Sequence, residues 1–186
     1  MEKKLWIKNI MTLIKEYLNE KKCELRKDYF HRILIFEGEY KEGKRNGKGK
    51  EYNYYTKKIL FEGEYKNGKR NGKGIEYDSN SGRIIFEGEF KSGIKWTGKG
   101  YNENNEIEYE IKDGTGKVKE YFNDKLIYEG EYLKGKKNGI GKEYNIIKGD
   151  LIYKGEYKNG KRNGKGKEYY NGKIIYEGEY LNGKKK

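Results

Sequence analysis

The chain has 186 residues, with 43 Lys and Arg against 30 Asp and Glu for a formal charge of +13. Only 33% is apolar and 39% is charged, which excludes a large aliphatic core, and no stretch has the length and apolarity of a membrane span. Aromatic content of 15%, mostly 20 tyrosines, argues against disorder: rings can stabilise a stacked sheet at roughly 1.5–3 kcal/mol per well-buried side chain.

Residues 3–22 place Trp6, Ile7, Ile10, Leu13, Ile14 and Tyr17 on one helical face, with Lys8, Asn9, Lys15, Glu16 and Asn19 mostly opposite. An amphipathic helix that caps the end of a repeat array is expected, and a membrane-surface or partner-binding helix is the alternative. Residues 1–32 are therefore assigned to a helical cap and linker, and residues 33–186 to the array. The charged start breaks up any signal-peptide core. The single Cys23 excludes an intramolecular disulfide framework, so a cytoplasmic protein is expected.

From Ile33 onward an aromatic–acidic–glycine pentad recurs. It reads FEGEY at Phe36 and Phe61, FEGEF at Phe86, YEGEY at Tyr128 and Tyr176, and YKGEY at Tyr153. Successive starts lie 25, 25, 42, 25 and 23 residues apart, and the 42 is two steps of 21 because a degraded copy begins at Ile107. Seven units result, with the degraded one near residues 107–121 and the last incomplete. Fixed-period self-similarity of this kind specifies a stacked array rather than a globule with one pocket.

Within residues 152–170, Tyr153, Gly155 and Tyr157 alternate with Lys154, Glu156 and Lys158, the period of a half-buried strand. The run Asn159-Gly160-Lys161-Arg162-Asn163-Gly164 reads as a hairpin connection, residues 164–169 as the return strand, and Asn171-Gly172 as the turn into the next unit. The expected fold is mainly β: an elongated, twisted array of β-hairpins forming one continuous antiparallel sheet. Glycines between the rings (Gly38, Gly63, Gly88, Gly130, Gly155, Gly178) and on the return strands (Gly49, Gly74, Gly100, Gly141, Gly166) are expected to leave slots for rings of adjoining strands. In the fourth unit Tyr109 and Val118 stand for the two glycines and Ile107 and Ile111 for the rings, which should bend or re-pitch the array.

FEGEYKNGKRNGKG at residues 61–74 and YKGEYKNGKRNGKG at residues 153–166 resemble MORN (membrane occupation and recognition nexus) repeats, whose unit reads approximately YEGEWKNGKxxGxG. The likeness covers about 150 residues. The common tryptophan is Tyr or Phe here, and the return strand runs GxGKEY, similar to the family's variant form. What the resemblance implies is a non-enzymatic scaffold for protein–protein interaction, dimerisation or anchoring near membranes. Phospholipid binding is a further family proposal, and the variant's occasional bacterial antitoxin label a third.

Candidate chemistry is thin. His31 is the only histidine, it forms no dyad with Cys23, and no metal-ligand spacing occurs, so neither cofactor nor metal is expected. The carboxylate pairs Glu37/Glu39, Glu62/Glu64, Glu87/Glu89, Glu129/Glu131 and Glu177/Glu179 recur too regularly for general acid–base work; they read as cross-strand partners of Lys50, Lys142 or Lys167. Gly43–Gly49 lacks the phosphate-loop spacing and its Ser or Thr.

Two candidate surfaces remain. Lys44, Arg45, Lys69, Arg70, Lys136, Lys137, Lys161 and Arg162 are expected in hairpin turns as a basic ladder, either a solvated edge or a surface for anionic membrane phosphates. Phe36, Tyr40, Phe61, Tyr65, Phe86, Phe90, Tyr128, Tyr132, Tyr153, Tyr157, Tyr176 and Tyr180 form an aromatic face for a protein partner, and their commitment to packing disfavours nucleic acid. The seventh unit should lack its return strand, leaving an edge through which a homo-oligomer could form.

Overall fold

The computed structural model describes residues 23–122 and 125–186. The helix expected over residues 3–22 lies outside them. The strands are β1 Glu24–Phe30, β2 Ile33–Lys41, β3 Lys44–Tyr52, β4 Ile59–Lys66, β5 Lys69–Tyr77, β6 Ile84–Lys91, β7 Ile94–Tyr101 and β8 Ile107–Ile111. They continue as β9 Gly116–Phe122, β10 Lys125–Leu133, β11 Lys136–Tyr144, β12 Leu151–Lys158, β13 Lys161–Tyr170, β14 Lys173–Leu181 and β15 Lys184–Lys185.

Every paired strand is antiparallel to its sequence neighbour. They form two sheets, however, not the single one expected: β1 to β8 in order, and β9 to β15 in order. The ladder breaks inside the degraded fourth unit, where the isolated bridge Lys112–Thr115 replaces a full pairing of β8 with β9.

β1 corrects the expected boundary at residue 33. Glu24–Phe30 is no linker but a strand paired to β2, with Arg26 opposite Gly38, Lys27 opposite Glu37 and Asp28 opposite Phe36. Gly49, Lys50 and Glu51 hold the same places opposite Gly63, Glu62 and Phe61, so β1 stands as the return strand of a preceding half-unit.

Each hairpin closes through two residues in left-handed backbone, as at Asn159 (φ 53°) and Gly160 (φ 85°), the geometry whose twist matches paired strands. The connection is thus shorter than expected. Lys161 already lies in β13, and Asn163-Gly164 sits inside that strand as a bulge, between the register pairs Tyr157–Arg162 and Gly155–Gly166. A glycine is required there: Gly164 has φ 97°, and a Cβ would fall 2.8 Å from the Glu156 carboxyl carbon. The hairpin tips are stitched along the array: the Gly68, Gly93, Gly160 and Gly183 amides donate to the carbonyls of Arg45, Arg70, Lys137 and Arg162 at 2.8–2.9 Å. At the sheet break the stitching persists, with Gly114 N donating to Trp96 O at 2.6 Å and Gly135 N to Gly114 O at 2.8 Å.

Glycines face one another across each sheet. Gly38, Gly49, Gly63, Gly74, Gly88 and Gly98 are opposed in succession, as are Gly130, Gly141, Gly155, Gly166 and Gly178. A Cβ on Gly49 would lie 2.5 Å from Cζ of Phe36, and one on Gly63 would lie 2.6 Å from Cα of Gly74. Apart from Gly100, the expected slots are therefore filled by the ring that begins the same hairpin. Phe36, Phe61, Phe86 and Tyr153 are fully buried, and edge-to-face neighbours such as Phe36–Tyr65 at 5.2 Å and Phe61–Phe90 at 4.9 Å link one unit to the next.

The third and fourth units depart from the expected alignment. Gly98, not Gly100, occupies the glycine row, because β7 has one residue fewer in its bulge: Phe90 opposes Lys95 and Gly88 opposes Gly98. Gly100 opposes Tyr109 and Gly98 opposes Ile111, so Ile111 stands in the glycine row and the Tyr109 ring lies on Gly100. Ile111 and Val118 are buried, whereas Ile107 is 52% exposed. The seventh unit is more complete than expected: Lys184 and Lys185 form β15, paired to Leu181 and Tyr180.

Candidate functional site

Alternation along each strand separates two faces. Phe36, Gly38 and Tyr40 point to one, and Glu37 and Glu39 to the other.

On the ring face, the second residue of six return strands, all but those of the fourth unit and β1, is folded back as a lid. Arg45, Arg70, Lys95, Lys137, Arg162 and Lys185 place their charges 3.9, 4.2, 4.9, 3.8, 4.0 and 4.4 Å from the ring centroids of Phe36, Phe61, Phe86, Tyr128, Tyr153 and Tyr176. Each lid is anchored by a return-strand carboxylate of the preceding unit. Arg70 reaches Glu51 at 2.6 Å and Glu76 of its own hairpin at 2.8 Å; Arg162 reaches Glu143 at 2.5 Å and Glu168 at 3.1 Å. Lys95 meets Glu76 at 2.6 Å, Lys137 meets Glu120 at 3.4 Å and Lys185 meets Glu168 at 2.7 Å. Asp28 on β1 does the same for Arg45 at 3.1 Å.

The same carboxylates accept from the tyrosine that ends the next pentad: Tyr65 donates to Glu51 at 2.8 Å, Tyr180 to Glu168 at 2.9 Å, Tyr40 to Asp28 and Tyr132 to Glu120. Burial pushes the Glu51 and Glu76 carboxyls up, but the guanidinium and ammonium partners outweigh it, and both end below the ordinary carboxylate range. Burial, with the neighbouring carboxylate, raises the Tyr65 phenol. Sequence reasoning missed these return-strand glutamates. Their signal is the recurring KEY tripeptide, with Glu51, Glu143 and Glu168 each two residues past a glycine of the row.

The candidate basic ladder therefore divides. Arg45, Arg70, Lys137 and Arg162 are lids, with side chains only 20–26% exposed, and act within the fold. Lys44, Lys69, Lys136 and Lys161 are exposed beside the tips. Lys41 and Lys44, Lys66 and Lys69, and Lys158 and Lys161 are opposed in register, concentrating positive charge there. The twelve candidate partner-contact rings form or border the buried core, with Tyr132 and Tyr176 partly buried against it. Cys23 is exposed, and so is His31, which is in ring contact with Phe30 at 4.4 Å. Among the described residues no group of His, Cys, Asp and Glu could hold a metal ion.

The opposite face is open. The pentad carboxylates meet the expected lysines: Lys50–Glu62 at 3.2 Å, Lys142–Glu129 at 2.6 Å and Lys167–Glu177 at 2.9 Å. Tyr52 and Tyr144 donate to Glu37 and Glu129 at 2.6 and 2.7 Å, and burial, then the Glu37 carboxylate, pushes the Tyr52 phenol up to about 12. Over the glycine row of β1 to β5 runs a trough of about 780 Å³, floored by Gly38, Gly49 and Gly63 and walled by Glu39, Lys48, Glu64 and Lys73.

Hairpins stacked by edge pairing, each except the fourth contributing one ring, one glycine pair or single row glycine and one cationic lid, define a β-hairpin repeat protein with its core on one face. The MORN repeat model matches residues 36–53, 61–83, 128–145, 153–173 and 176–186, and the chain belongs to the MORN-repeat family. The unmatched stretch between residues 84 and 127 holds the short bulge of β7 and the sheet break, the two places where the hairpin pattern fails. No curated protein matches the chain. No helix among the described residues is long and apolar enough to cross a membrane.

Proposed function

We propose that the protein is a non-enzymatic scaffold that docks a protein partner along its open, charge-patterned face. The observation that carries this reading is the division of labour between faces. The rings are consumed as core beneath their lids, while the glycine rows leave a long shallow trough on the other side. Side chains in that trough alternate in charge across strands, as along Glu37, Lys50 and Glu62, which suits an extended segment with its own charge pattern. Photo-crosslinking in cells expressing the protein tests it. A crosslinker replacing Lys48 or Lys73 on the open face should give a discrete partner adduct, and one replacing Lys69 at a tip should not. Adducts from the tip alone would overturn the reading.

A second reading, peripheral attachment to anionic membranes, is favoured by the register-opposed lysines at the tips. It involves Lys44, Lys69, Lys136 and Lys161 rather than the lid residues. Reversing those four charges should release the protein from phosphatidylserine vesicles in a sedimentation assay with the fold intact; unchanged sedimentation would remove this reading.

A further inference from the structure

On the open face the first carboxylate of the pentad is an acceptor in a repeated arrangement. Glu37 takes Tyr52 at 2.6 Å and Lys27 at 3.4 Å; Glu129 takes Tyr144 at 2.7 Å and Lys142 at 2.6 Å. Five pentads keep glutamate at this position, and the sixth, YKGEY, has Lys154. The register sets Lys142 opposite Lys154 and Lys154 opposite Lys167, so three ammonium groups occupy neighbouring places on adjoining strands. Like charges so placed repel, and Lys154 has no carboxylate partner among the described residues. Lys142 and Lys167 each share one carboxylate, Glu129 and Glu177. Three lysines against two glutamates leave one uncompensated positive charge. Tyr169, the counterpart of Tyr52 and Tyr144, finds lysine where those find an acceptor.

Two further features coincide there. A trough of about 560 Å³ opens over Gly155 and Gly166, lined by Lys154, Lys165, Lys167, Tyr169, Glu177 and Glu179, three ammonium groups against two carboxylates. At its margin Ile140, 51% exposed, stands on β11 where β3 and β5 carry Lys48 and Lys73.

We propose that this trough takes an acidic side chain of a protein partner, a glutamate or aspartate whose carboxylate enters among Lys142, Lys154, Lys167 and Tyr169 while a neighbouring apolar residue rests on Ile140. The group supplied in trans replaces the carboxylate that the other pentads supply in cis. A single carboxylate matches the one positive charge left over, which a phosphate dianion would exceed. The proposal rests on the open face being the docking face, and it fixes where on that face the contact lies and which chemistry makes it.

The probe is a capped six-residue peptide alternating leucine and glutamate, with leucine–glutamine as the uncharged control, titrated into the full chain and followed by amide chemical shifts. Shifts confined to residues around 140–179 are expected, weakening as salt rises and absent for the control. Lys154→Glu restores the residue of the other pentads, so its melting temperature should match or exceed that of the parent while peptide affinity falls at least tenfold. Lys69→Glu carries the same charge change at a tip and should leave affinity unchanged. Equal losses in both variants, equal binding of the glutamine peptide, or no shifts in this trough would overturn the proposal. So would a response here to inorganic phosphate or phosphatidylserine vesicles but not to the peptide. Peptide shifts in the trough of β1 to β5 alone would overturn it while sparing the docking-face reading, which the crosslinking experiment tests separately.

Discussion

Phe61 in the second unit and the pair Ile111 and Val118 in the fourth fill the same layer with opposite distributions of bulk. Around Phe61 the strands give up side chains at Gly63 and Gly74, one ring occupies the vacated space, and Arg70 closes it at 4.2 Å. In the fourth unit, by contrast, the glycine row holds Ile111 opposite Gly98 and Val118 opposite Gly130, and the bulk is spread over two aliphatic side chains. The first arrangement propagates, because every glycine pair leaves room for the next ring and every return strand offers the next anchoring glutamate. The second does not: with side chains on both sides of the row, β8 and β9 keep only the Lys112–Thr115 bridge and the sheet ends. Continuity of a single-layer array thus depends on absent side chains as much as on the rings.

Removing a ring should be the largest perturbation. Phe61→Ala empties a fully buried site with glycine on both neighbouring strands, so no opposing Cβ takes up the space; a loss of about 3–5 kcal/mol in denaturant unfolding is expected. In the fourth unit, Val118→Gly restores the residue found throughout the regular row and should nonetheless destabilise by about 2–3 kcal/mol, since no ring waits to fill the space. A stabilised Val118→Gly variant would show that the break is not held by aliphatic packing.

The lids give a smaller and more selective effect. Arg70→Ala removes a cation from the Phe61 ring and leaves Glu51 and Glu76 short of a partner, so about 1–3 kcal/mol should be lost. Lys69→Ala, one residue away and exposed, should change unfolding by no more than about 0.5 kcal/mol. Equal effects would mean that the lid geometry contributes nothing.

The same anchors set the pH response. Glu51 and Glu76 are held below the ordinary glutamate value of 4.5, so unfolding takes up protons at them, and their contribution is present above about pH 4.5 and lost as pH falls through the folded-state values. The buried phenols act with opposite sign. Tyr153, pushed up from 10 to about 12 chiefly by burial, stays protonated when the unfolded chain has ionised, so its contribution is intact below pH 10 and disappears as pH rises toward 12. Melting temperature against pH should be flat between these limits and fall on both sides. Tyrosinate absorbance rising with an ordinary midpoint near 10 would contradict the alkaline arm.

The pentad spacing and the lack of proline made the hairpin array legible, because strand alternation and a fixed period leave little else to build. Three things were hidden for physical reasons. Asn159-Gly160 and Asn163-Gly164 both tolerate positive φ, so composition alone does not tell which closes the turn and which forms the bulge. β1 carries no pentad, and its kinship with a return strand lies only in Lys27, Asp28 and Tyr29 standing where Lys50, Glu51 and Tyr52 stand later. In the sequence the lids look like free charge because an arginine beside a turn is normally solvated; only the pairing of Tyr65 with Arg70 shows it over the ring. At the candidate site, the exceptional Lys154 was visible as a letter, but its two lysine neighbours required the register.

The smallest effect separates turn chemistry from packing. All the hairpin turns share one backbone shape, yet the first has Glu42 at φ 51° where the second has Asn67 at the same angle. A side chain without asparagine's local hydrogen bonding costs about 1 kcal/mol in that conformation. Glu42→Asn should therefore stabilise by a few tenths to about 1 kcal/mol, read as a rise in melting temperature. It touches neither ring, glycine row nor lid: a Cβ even on the adjoining Gly43 would meet nothing within 4 Å. Any gain then belongs to the turn alone, and a loss would mean that the Glu42 carboxylate, 3.9 Å from Lys41, matters more to the tip than its backbone strain.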